Sequence, residues 1–165
     1  MNVEGLFEQH SGIDQSVIKC LPHRPPALYL EHIAQTNLTN IGGKAPEHGV
    51  EPLRLVATAR ISIGECNGHF PNKPRVKATD VLDAMGQAMV IFKVAARVSG
   101  ELEKISMDHP KKEGWLKADE KFAIVVSLND SILNTEGETV QVIRAEVFGR
   151  DRDQCLAWAE FYITN

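Results

Sequence analysis

His69 and Asp83 are the side chains in this chain best suited to chemistry, and both lie in the stretch HFPNKPRVKATDVLDAMGQ at residues 69–87. Histidine titrates near neutrality and is the natural general base. A carboxylate on an apolar helix is costly to bury and needs a reason to be there. Gln87 follows Asp83 at i+4, on the same helix face, where it can orient the carboxylate or satisfy a buried backbone group. Lys73, Arg75 and Lys77 alternate along a proline-containing segment, so the three share one side of an extended chain. That basic stripe meets an anion or forms a solvated charged edge. Each residue also has a plain structural reading: His69 as a loop histidine, Asp83 as a carboxylate that stabilises the start of a helix. His10, His32, His48 and His109 lack metal-ligand spacing, and no metal site is expected.

The elements that must position these residues are legible from pattern. Pro71 and Pro74 fix φ and keep the loop extended. A helix over about residues 79–98 follows, with Val81, Leu82, Ala84, Met85, Ala88, Met89, Phe92, Ala95 and Ala96 on nearly every face. Such a helix is buried in a core, and its expected stop is Gly100. Leu53 to Ile63 alternates with period two and predicts a strand. Residues 27–36 form another candidate. Residues 101–107, Phe122 to Leu128, Thr139 to Phe148 and Leu156 to Thr164 predict further strands, with a turn at Asn134 to Gly137. One long apolar helix among consecutive strands predicts an α+β fold, an antiparallel sheet wrapped around the helix. The 165 residues suit a single domain, 1–165.

Composition narrows the partners. Hydrophobic residues make up 43% and charged residues 24% of the chain, as in ordinary globular proteins. The net charge of −4 provides no basic field for nucleic acid. No apolar run approaches the roughly 18 residues of a membrane span, and the first residues lack a signal-peptide core. Cys20, Cys66 and Cys155 are odd in number and widely spaced, which suits a reducing cytoplasm rather than a disulfide framework.

Two segments together resemble the β-hydroxyacyl-acyl-carrier-protein dehydratases, the FabA/FabZ family of the hotdog fold. Leu21-Pro22-His23-Arg24-Pro25-Pro26 is similar to the opening motif of the FabZ branch. Gly68-His69-Phe70-Pro71-Asn72-Lys73-Pro74, leading to Asp83-Ala84-Met85-Gly86-Gln87, is similar to the family's histidine loop and helix motif. The helix acid is aspartate, as in the FabA branch. Val76-Lys77-Ala78 stands where the family has Met-Pro-Gly, and Asn72 replaces a glycine.

The resemblance implies dehydration of a 3-hydroxyacyl thioester to the trans-2-enoyl form. His69 would be the base, and Asp83 would hold or protonate the leaving hydroxyl across a dimer interface. The Ala78 N–H would polarise the thioester carbonyl, with Phe70 and Gln87 also contacting substrate. Lys73, Arg75 and Lys77 would meet the phosphopantetheine phosphate or the acidic face of an acyl carrier protein. No cofactor is implied beyond the phosphopantetheine that carries the substrate, and the assembly implied is a homodimer, with a higher oligomer left open. The pathway is fatty-acid synthesis or a specialised polyketide or aryl-polyene-like route, and the altered residues 76–78 favour the specialised one. Two other functions stay open: a hotdog acyl thioesterase, and a non-catalytic acyl or carrier-protein binding module.

Overall fold

The computed structural model describes residues 18–19, 21, 29–36, 53–66, 76–98, 100–108, 116–133, 135–150 and 155–164. The elements run β1 (Leu30–Thr36), β2 (Leu53–Arg60), α1 (Ala78–Ala95), β3 (Glu101–Asp108), β4 (Lys121–Leu133), β5 (Thr139–Gly149) and β6 (Cys155–Thr164). The strands form one sheet in the order β1-β2-β4-β5-β6-β3, and every neighbouring pair is antiparallel. The chain leaves β2, passes through α1 and re-enters the sheet at its opposite edge as β3, so the helix lies across one face, against β1, β2, β4 and β5. This is the α+β architecture expected from the alternation of the sequence.

Burial explains why the strands read as they do. Leu55, Ala57 and Ala59 of β2 point to the helix-facing core, together with Phe122, Ile124, Val126 and Leu128 of β4. On the other face Val56, Ala123, Val125 and Phe148 make a second, smaller cluster. A central strand with both faces covered is apolar throughout, which accounts for the unbroken run Phe122 to Val126. From α1, Met85, Met89, Ile91 and Phe92 are wholly buried. Each such side chain contributes about 1.5–3 kcal/mol relative to an exposed one.

Three expectations change. The helix stops at Ala95, before residue 98, in a Schellman turn: Arg97 N–H donates to the Val94 carbonyl and Val98 N–H to the Lys93 carbonyl. Arg97, not a glycine, takes the left-handed conformation at φ 55°. Strand β4 continues past Leu128 to Leu133, because a bulge between Leu128 and Asp130 restores its pairing with β5. The helix is not buried all round either, since Thr79, Asp83 and Val94 are exposed and Gly86 and Val90 partly so, at spacings that make one stripe.

Candidate active site

The first turn of α1 is the site's scaffold. Lys77 is its N-cap, extended at φ −77° and ψ 145°, and its side chain makes no capping bond. The Val81 N–H closes the first turn on the Lys77 carbonyl at 3.2 Å. The N–H groups of Ala78, Thr79 and Asp80 therefore precede the first intrahelical bond, as donors at the positive end of the helix dipole. Asp80, in that turn, reaches back and accepts a hydrogen bond from the Lys77 backbone N–H, half of a capping box. Its Oδ2 is sealed from solvent and has no hydrogen-bond partner among the described residues. Burial pushes the Asp80 carboxyl above the usual aspartate range. The Lys77 charge and backbone N–H pull it down, and Glu65 and Asp83 push it up.

Two further polar groups feel the Asp80 charge. Tyr29, just before β1, is buried, and its backbone N–H donates to Gln87 Oε1 at 3.0 Å. Burial first, then the negative charges of Asp80, Glu65 and Asp83, raise its phenol to about 12. Cys66 ends the turn after β2 and is fully buried, so desolvation, followed by Asp80 and Glu65, raises its thiol. That turn is pinned in place. Glu65 accepts from the Ser62 N–H and hydroxyl, each at 3.0 Å, and Asp119 Oδ1 accepts from the Ile63 N–H at 3.2 Å.

The residues singled out from sequence divide into three groups. His69, Phe70, Lys73 and Arg75 lie outside the described residues. Ala78 and Lys77 stand at the helix N-terminus, both half-buried. Asp83 and Gln87 separate: Gln87 is wholly buried and bonds the Tyr29 backbone, whereas Asp83 is exposed on the protomer. The expected costly burial at Asp83 is thus corrected. The carboxylate with a sealed oxygen is Asp80, because residues 80, 84 and 87 share the inward face and 79, 83 and 86 the outer one. Sequence reading missed Asp80, Tyr29 and Cys66. The one available signal was an aspartate three residues after the last residue of the extended loop, half of the capping pattern. Among the described residues no three metal-ligating side chains converge.

No protein-family profile matches the chain. Over 82 residues it is 33% identical to the 3-hydroxyacyl-[acyl-carrier-protein] dehydratase FabZ of Anaeromyxobacter sp. (strain Fw109-5). The match takes in 48% of this chain and 44% of that enzyme, so the chain spans less than half the length of this curated relative. Among solved structures, a thioesterase superfamily protein superposes with a TM-score of 0.51 at 11% identity, over 67% of this chain and 51% of the other. The PaaI protein of E. coli, from the phenylacetic acid degradation operon, gives 0.50 at 11% identity, over 67% and 76%. The fold is the hotdog fold. A dehydratase heterocomplex, ApeI:P from Xenorhabdus doucetiae, is similar over 90% of this chain and 91% of the other at 12% identity, with a TM-score of 0.48. In hotdog terms α1 is the helix enclosed by the sheet, and its N-terminal turn is where the polar groups described above collect.

Proposed function

We propose that the chain dehydrates 3-hydroxyacyl groups carried on an acyl carrier protein, giving the trans-2-enoyl thioester. The observation that carries the reading is the first turn of α1. It holds backbone donors at Ala78 and Thr79 that precede the first intrahelical bond, a few residues after the Gly68-His69-Phe70-Pro71 motif in sequence and one turn before Asp83. The partial identity to FabZ supports it.

In this reading His69 removes the proton alpha to the thioester carbonyl, and the electron pair moves toward the carbonyl oxygen. The Ala78 N–H stabilises the charge there; losing one such donor costs about two to three powers of ten in rate. The Cβ–O bond then breaks, the double bond forms, and the departing hydroxyl leaves as water with the proton of Asp83. Acid and base exchange protons with solvent to reset. Because Asp83 is exposed on the lone protomer, a second copy of the chain supplies the enclosure, so the working unit is a homodimer. Lys73, Arg75 and Lys77 meet the phosphate of the carrier's phosphopantetheine. No helix among the described residues is long and apolar enough to cross a membrane. Cys66 and Cys155 are free thiols, in keeping with a reducing cytoplasm.

The test is intact-mass analysis of 3-hydroxyacyl-carrier proteins of several chain lengths after incubation with the protein. Loss of one water, abolished by His69→Ala and by Asp83→Asn, is expected. Release of free carrier thiol instead would establish hydrolysis, which the exposure of Asp83 to water also permits. Binding without turnover would establish a carrier-binding module. Charge reversal at Lys73 and Arg75 raises KM for carrier-linked substrate and spares short thioester mimics; equal effects on both would remove the phosphate contact from the reading.

A further inference from the structure

Asp119 has no part in the chemistry above, yet its backbone is strained. It stands at φ 60°, in the left-handed region, where glycine sits more cheaply. Such conformations persist where surrounding contacts fix them, and two bonds do so here. The Asp119 N–H donates to the Ile61 carbonyl at 2.9 Å, and Asp119 Oδ1 accepts from the Ile63 N–H at 3.2 Å. One residue thus grips the chain on both sides of Ser62, just past the end of β2. It grips from a closed turn. The Lys117 N–H donates to Glu120 Oε2 at 3.0 Å and the Glu120 N–H to the Lys117 carbonyl at 3.2 Å, beside the buried Leu116. The Glu65 bonds to Ser62 shape the 62–66 turn from within; Asp119, 56 residues from Ile63 in sequence, ties it to the start of β4. Asp119 and Ile63 are both exposed, so these bonds add little to global stability.

We propose that Asp119 is a positioning residue for the histidine motif: by holding residues 61–63 it fixes where the chain departs toward His69. The inference rests on the dehydratase reading. The gripped segment continues into a turn closed by the Cys66 N–H on the Ile63 carbonyl at 3.2 Å, and Cys66 is fully buried. His69 follows Cys66 by three residues, so the two Cα atoms lie within about 11 Å of each other. On the far side of the motif Val76 is 3% exposed and Lys77 is the N-cap of α1. Residues 67–75 therefore join two fixed points, and Asp119 sets the first. A base must stand within hydrogen-bond reach of the proton it takes, and a misplacement of about 1 Å costs about 10² in rate. A clamp that never touches substrate then governs kcat through the histidine it places.

The experiment compares wild type, Asp119→Gly and Asp119→Asn by turnover of a carrier-linked 3-hydroxyacyl substrate, by thermal melts and by peptide-level hydrogen–deuterium exchange. Glycine takes φ 60° without strain and keeps the backbone N–H, so it removes the carboxylate acceptor alone. Asparagine keeps an acceptor oxygen and tolerates the left-handed region. The glycine variant is expected to melt close to wild type, to lose about tenfold to 10² in kcat and to keep its KM; asparagine is expected to restore kcat. With glycine, exchange is expected to quicken at residues 61–66 and onward through 67–75, while peptides from β5 stay as in wild type. Wild-type kcat for Asp119→Gly in an active enzyme overturns the inference. Faster exchange confined to residues 61–66, as a merely local bond would give, overturns it too. A wild type that releases no water from any chain length overturns the dehydratase reading instead, and exchange over 67–75 then decides alone whether Asp119 holds that segment.

Discussion

Replacing Gln87 with leucine takes away the acceptor of the Tyr29 N–H while nearly preserving side-chain volume. The bond is 3.0 Å long, Gln87 is 0% exposed and Tyr29 7%, so water cannot take over. Leaving a buried N–H unsatisfied costs about 1–3 kcal/mol, and leucine fills the space well enough that the cavity contribution stays small. At about 2 kcal/mol, a protein of this size loses roughly 4–8 °C in Tm, or about 1 M in the urea midpoint at unchanged slope. Both are measured at one fixed protein concentration, since self-association adds to apparent stability. Gln87→Glu extends the argument. Its buried carboxyl keeps an acceptor, but burial raises its pKa, so its stability matches wild type at low pH and falls as pH rises past the ordinary glutamate value. A Gln87→Leu variant within about 0.5 kcal/mol of wild type, with KM for acyl substrate raised, would refute this structural role and assign Gln87 to the substrate.

Two further outcomes follow from single residues. Arg97 is exposed and holds φ at 55°, so Arg97→Gly relieves left-handed strain without losing packing; it is expected to raise stability by up to about 1 kcal/mol in a thermal melt. Tyr29 has its phenol raised to about 12, so its neutral form costs nothing below the unfolded value near 10, and stability drains away as pH climbs through that window, by about 2–3 kcal/mol in full. Tyr29→Phe is expected to flatten that alkaline loss in urea titrations at pH 9 to 12, and a loss of equal size in the variant would show that the phenol is not its source.

The architecture was legible because periodicity carries it. Leu53 to Ile63 alternates since β2 has one face on the helix and one away from it. Phe122 to Val126 does not alternate, since β4 has a hydrophobic cluster on each face. What escaped was decided by contacts distant in sequence. Spacing places Asp80 and Asp83 on two adjoining faces of α1, but only the position of β1 and the turn at Cys66 decides which face is inward. The helix end escaped for a local reason. Arg97 accepts a conformation that glycine adopts more cheaply, because Val98 is buried and the Lys93 carbonyl needs its N–H. His69, singled out for its chemistry, Lys73 and Arg75, singled out for their alternation, and Phe70, which came from resemblance, lie outside the described residues.

Gly86 provides the sharpest test of what covers the outer stripe of α1. It sits mid-helix between Asp83 and Val90, and a Cβ built on it would meet nothing within 4 Å in the single protomer. Glycine there costs roughly 0.5–1 kcal/mol relative to alanine, a cost without return if the face meets only water. Val94, further along the same stripe, is 50% exposed. An absent side chain beside exposed apolar surface is what a closely approaching second surface needs. A homodimer that packs on this stripe also encloses Asp83, one turn before Gly86. Gly86→Ala is therefore expected to raise the stability of the dissociated chain by up to about 1 kcal/mol and to weaken self-association. Sedimentation velocity over a dilution series reads the association, and urea unfolding at the most dilute point reads the chain alone. Gly86→Leu should abolish association where alanine only weakens it. A dimer indifferent to both substitutions must pack elsewhere, and Asp83 would then be left in solvent, poorly placed to protonate a leaving hydroxyl.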